Sequence, residues 1–149
     1  MSNPKPNATP NLKFGTKKTI TLEGAKLIAA AAHAEAQKNS WNMVIAVVDD
    51  GGHTIYLERM DNAQIGSVLI AQEKAAGAVR FKRATKAIED MVSGGRTALL
   101  GLPGVIPIEG GVPLIVEGQV IGAIGVSGGT STQDGLVAAA GLAVAEKMI

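Results

Sequence analysis

The chain has 149 residues and a mass of 15.2 kDa, with 14 Lys and Arg against 13 Asp and Glu and a formal net charge of +1. That length suits one domain, the 46% hydrophobic fraction supplies a sizeable core, and the near-zero charge gives no electrostatic case for nucleic acid or an acidic membrane surface. The absence of cysteine excludes disulfides, thiolate metal sites and a Cys nucleophile, and Phe14, Trp41, Tyr56 and Phe81 are too few aromatics for a nucleic-acid stacking platform.

Residues 1–18 are polar and rich in Asn, Pro and Lys, which predicts a flexible tail ahead of a single domain over 19–149. The tail lacks the apolar segment of a signal peptide, and no stretch reaches the roughly 18 apolar residues of a membrane span. A cytoplasmic protein is expected.

Thr21 is a good helix N-cap, and Leu22, Ala25, Ile28, Ala29, Ala32 and Ala36 recur at helical spacing up to Lys38 and Asn39. Met43–Val48 is a β-branched run that reads as a buried strand. The turn Asp49-Asp50-Gly51-Gly52 returns the chain into a second strand, His53–Met60, since Asp-Gly accepts the positive φ of a tight hairpin. Asp61–Gln64 has the form of a capping box and predicts a helix through about Val79. Thr85 is expected to cap a short helix, Lys86–Val92, stopped by Ser93-Gly94-Gly95. Residues 101–111 read as loop. Val112–Val116 and Gln119–Val126 form a second hairpin around Glu117-Gly118, followed by a helix from near Thr132 to Met148. This order predicts an α+β domain with an antiparallel sheet.

Chemistry concentrates in a few places. Ser127-Gly128-Gly129-Thr130 lies between a strand and a helix start, where free backbone N–H groups favour a carboxylate or propionate. Gly110-Gly111 is a second such pair. Neither has the spacing of a nucleotide motif, and turn formation alone would account for both. Lys74, Arg80, Lys82, Arg83 and Lys86 form the densest positive segment, for which a solvated helix face is the commoner explanation. Turned inward, Lys74 would hold an anion or act as a base after desolvation. Arg59, at a strand end, suits a bidentate clamp on a carboxylate or a pair with Asp61 or Asp49.

His33 and His53 are too few for a metal site, so no metal is expected, but one imidazole suffices as the axial ligand of a haem. Gly125-Val126-Ser127-Gly128-Gly129 matches a nucleophile elbow by letter, yet that motif needs a larger parallel sheet. Glu109, beside Gly110, is an acid/base candidate or a solvent-facing loop residue.

Thr21-Leu-Glu-x-Ala, Val47-Val-Asp-Asp-Gly-Gly, Glu58-Arg-Met-Asp, Glu73-Lys-Ala, Gly110-Gly-Val-Pro and Val120-Ile-Gly-Ala-Ile-Gly-Val-Ser-Gly-Gly follow one another in fixed order. Together they resemble the GlcG/HbpS, or haem-degrading domain, family over residues 19–149, and the C-terminal domain of PduO is similar. The resemblance implies a profilin-like fold: a central antiparallel sheet of about five strands flanked by helices, assembled into homo-oligomers. It also implies haem binding, in some members with slow haem breakdown and iron release, while other members accompany organic-acid catabolism.

Arg59, Asp61, Lys74, Thr85, Gly110, Gly111, Pro113, Gly122, Ser127 and Gly128 stand on motif positions; Ala84 replaces the proline that usually precedes the matching threonine. Two functions compete. In a haem-binding protein, Arg59, Lys74 and the Ser127–Gly129 loop would take the propionates and His33, His53 or Thr85 the iron. In a small-molecule enzyme or binding protein for an organic acid, Lys74 or Glu109 would move a proton, and Ser127 or Thr85 would donate a hydrogen bond. In either case the ligand set is Arg59, Asp61, Lys74, Thr85, Gly110, Gly111, Ser127, Gly128 and Gly129. A purely structural role in an oligomeric accessory protein is the third reading.

Overall fold

The computed structural model describes residues 2–4 and 12–147. The Thr21 hydroxyl accepts the Gly24 N–H at 3.1 Å, satisfying a donor that the first helical turn leaves open, and starts α1, Leu22–Lys38, which Asn39 closes. Strands β1, Val44–Asp49, and β2, Thr54–Arg59, form the first hairpin. Its turn is held by Asp49, whose Oδ1 accepts the N–H groups of Gly51 and His53 at 2.9 and 3.0 Å. Helices α2, Gly66–Phe81, and α3, Thr85–Ser93, follow. The second hairpin joins β3, Gly111–Val116, to β4, Gln119–Ser127, through Glu117 (φ 51°) and Gly118 (φ 77°). Two consecutive positive φ angles match the twist of the flanking strands. Helix α4, Ser131–Lys147, is the last element.

All strand pairs are antiparallel, in the order β2-β1-β4-β3. The sheet therefore has four strands among the described residues rather than about five. The nearest approach to a further strand is Ile20, whose N–H donates to the Ile121 carbonyl at 3.0 Å, beside β4 and past the end of β1. It stays a single bond because the chain enters α1 at Leu22.

Two local expectations are also corrected, and one element is added. Asp61–Gln64 is a turn, with Asn62 at φ 67°, and no side chain caps α2, which starts at Gly66. Gln64 reaches forward to donate to the Ser67 hydroxyl at 2.9 Å. Thr85 is the first residue of α3, preceded by Ala84 in the cap position, and is buried. A 3₁₀ helix, Thr97–Gly101, precedes the predicted loop. The expected end of α4 at Met148, and residues 1 and 5–11 of the expected tail, lie outside the described residues.

Helices cover both faces of the sheet. Ile45, Val47, Leu114, Ile124 and Val126 pack with Ile28, Ala29 and Ala32 of α1 and Val137 and Ala138 of α4. On the other face Val44, Ala46, Val48 and Ala123 meet Ala71, Ala75 and Ala78 of α2. That second contact is closer than ordinary side chains allow. A Cβ on Gly125 would overlap the Ala71 carbonyl and lie 2.6 Å from the Ala75 nitrogen. Alanine on the helix and glycine on the strand let the backbones touch, which is how a chain with 3% aromatics fills its core. Among the described residues, no helix is long and apolar enough to cross a membrane.

Candidate functional site

Lys74 belongs to α2's alanine stripe and points into the protein, with 1% exposure. Its ammonium donates to Asp134 Oδ2 at 2.8 Å and to the Val126 carbonyl at 3.0 Å. Asp134, in the first turn of α4, is 3% exposed and uses its other oxygen to accept the Gly129 N–H at 2.9 Å. One carboxylate thus joins α2, α4 and the glycine loop after β4. Burial pushes the Asp134 carboxyl above its ordinary 3.8, against the opposing pull of the Lys74 ammonium and the Gly129 N–H.

The glycines beside this pair make room for it. A Cβ on Gly110, at φ 133°, would lie 2.6 Å from the Val126 carbonyl and 2.9 Å from Lys74 Nζ; on Gly111 it would overlap the Lys74 carbonyl. Thr85 closes the same centre, its hydroxyl accepting the Gly111 N–H at 2.9 Å. The Ser127 hydroxyl donates to Ser67 at 3.0 Å, and its neighbour in the hydrogen-bond chain is Gln64 rather than an imidazole. Lys74, Thr85, Gly110, Gly111, Ser127 and Gly129 therefore lie close together, apart from Arg59 and Asp61 of the same expected set. The carboxylate that meets Gly129 is the protein's own Asp134.

The remaining candidates divide. His33, Arg59 and Asp61 come together at the open end of the β1–β2 hairpin, in a trough of about 430 Å³ that also contains Trp41, Glu58 and Met60. A second depression of about 360 Å³, reaching Gly128, Gly129 and Gln133, shares Ser40, Trp41, Asn42 and Asn62 with it. His33 is half-buried, and Glu58 Oε2 lies 2.7 Å from its Nδ1. His53 is exposed at the turn of the same hairpin, the end remote from Arg59. Glu109 is half-buried; its N–H donates to Glu89 at 3.1 Å, and its carboxylate lies against Gly135 of α4.

Asp134, Glu58 and Ser67 are absent from the residues selected by sequence. Asp134 is separated from Lys74 by 60 positions, and an acid in a first helical turn is ordinary on dipole grounds alone. Glu58 had a visible cue in the Glu58-Arg-Met-Asp motif, which did not single it out from its neighbours.

An antiparallel α+β domain with a lysine–aspartate pair sealed under glycine-rich turns is the class of protein defined here. The chain belongs to the HbpS-like family, described as haem degrading protein HbpS-like, which matches residues 20–143. It is 49% identical over 112 residues to protein GlcG of Escherichia coli K12, covering 75% of this chain and 84% of that protein. A crystal structure of an HbpS double mutant from Streptomyces reticuli superposes with a TM-score of 0.81 at 31% identity, covering 97% of each chain. The crystal structure of a PduOC:heme complex gives a TM-score of 0.76 at 29% identity, covering 84% of this chain and 94% of that one.

Proposed function

We propose that this chain is a haem-binding protein and that the macrocycle lies in the trough at the open end of the β1–β2 hairpin. The observation that carries the reading is His33. Glu58 engages its Nδ1 at 2.7 Å, an arrangement that restrains the ring and leaves Nε2 as the nitrogen that would hold the iron. A haem is an apolar plate with two propionates. Trp41 and Met60 supply apolar surface in the trough, and Arg59, exposed beside them, supplies a guanidinium for a propionate. Asp61, which also lines the trough, would repel a propionate placed beside it. His33, Trp41, Met60 and Arg59 are thus the lining residues that fit the group, in a trough otherwise walled by polar side chains. Lys74 supports the site indirectly, by way of Asp134 and the Gly128–Gly129 wall.

The test is a visible-absorption titration with haemin, run beside an inert protein of similar size. A saturating, stoichiometric Soret shift is expected, lost in His33→Ala and retained in His53→Ala. A shift no larger than that of the inert protein, or one indifferent to His33→Ala, overturns the reading. Haem breakdown with iron release extends the same proposal. Supplied with reductant and oxygen, the bound Soret band should bleach as chelatable iron appears, more slowly in His33→Ala.

A further inference from the structure

We propose that the cleft between α3 and the Thr97–Gly101 helix binds a small aromatic monocarboxylate of the size of benzoate. The cleft has a volume of about 170 Å³ and is walled by Phe81, Ile88, Met91 and Leu99, with Arg83 and Arg96 also lining it. An apolar cavity of about 150 Å³ suffices for one benzene ring, so this one admits a single six-membered ring and little more. Phe81 and Met91 are suited to a ring, through aromatic and sulfur contacts respectively.

The two arginines select the charge. Both are exposed, and neither is in an ion pair among the described residues. Arg83 Nε donates to the Phe81 carbonyl at 2.9 Å. That bond anchors the guanidinium at the cleft and leaves its terminal nitrogens free to donate. A planar carboxylate complements such forks. A neutral ring would fill the cavity and leave the guanidinium donors to water. The cleft shares no residue with the trough assigned to haem.

The experiment is an NMR titration of the full chain with benzoate, repeated with benzyl alcohol as a neutral counterpart. Benzoate should produce saturable shifts at Ile88, Met91 and Leu99, with benzyl alcohol far weaker at the same positions. Arg83→Gln and Arg96→Gln should each weaken benzoate about tenfold, the value of one charge-assisted hydrogen bond. Shifts that do not saturate, that map elsewhere, or that are equal for benzyl alcohol overturn the proposal. So do shifts at these residues that follow protein concentration without benzoate, which would assign the cleft to contact with a second copy.

Discussion

Removing the ammonium of Lys74 would strand the Asp134 carboxylate at a position that is 3% exposed. Breaking a buried pair in this way costs about 3–5 kcal/mol, because desolvation persists when the partner is gone. Lys74→Met is expected to lose that much stability near neutral pH, measured by urea unfolding. The loss should depend on pH. Folding already raises the Asp134 carboxyl above 3.8 through burial, with Lys74 opposing the shift. A carboxyl raised by folding contributes stability that is complete below its unfolded value and lost as pH rises through its folded value. Without Lys74 that window extends upward, so Lys74→Met should cost less at pH 5 than at pH 8. Adding Asp134→Asn should recover part of the loss at pH 8. An equal loss at both pH values would count against an ionised Asp134. The inward direction of Lys74 was legible: it stands three residues after Ala71 and four before Ala78, on the stripe that α2 buries. The run of cations through Lys86 obscured that spacing, since most of its members do face water.

Among the elements, the contact of α2 with β4 has the least slack. Gly125→Ala places a methyl group against helix backbone, which cannot move aside as a side-chain tip can. Overpacking of this kind costs about 1–3 kcal/mol, and the urea midpoint should fall accordingly. Gly66 makes the contrast. It opens the same helix in free space, where an added Cβ would meet nothing within 4 Å. Gly66→Ala should therefore stabilise the chain by about 0.4–1 kcal/mol, through the unfolded state. Both hairpins were readable because their turns state a backbone requirement directly, as Glu117-Gly118 does with two positive φ angles. The start of α2 was not, because Asp61–Gln64 carries capping-type residues but spends them on a turn and on Ser67. A five-residue 3₁₀ helix such as Thr97–Gly101 is too short to leave a period in sequence.

At the scale of the molecule, the α+β class followed from the alternation of hairpins and helices, whereas the strand order did not. Placing β4 between β1 and β3 requires pairings such as Val44 with Ser127, 83 positions apart by number, which no local pattern encodes. The glycine pairs 110–111 and 128–129 were legible as candidate features, whereas their meeting around an ion pair was not, because its second charge arrives from α4. The trough became visible only when the β1–β2 hairpin and α1 had been placed together.

The composition that leaves the core without aromatics has one further consequence. Trp41 is the sole tryptophan, and it lines the trough. Its tryptophan emission therefore originates at one end of the molecule alone. Haem seated against it should quench the emission by energy transfer, in proportion to the Soret shift, whereas benzoate in the α3 cleft should leave the spectrum unchanged. Two ligands, one tryptophan and no added label would then be told apart in a single cuvette.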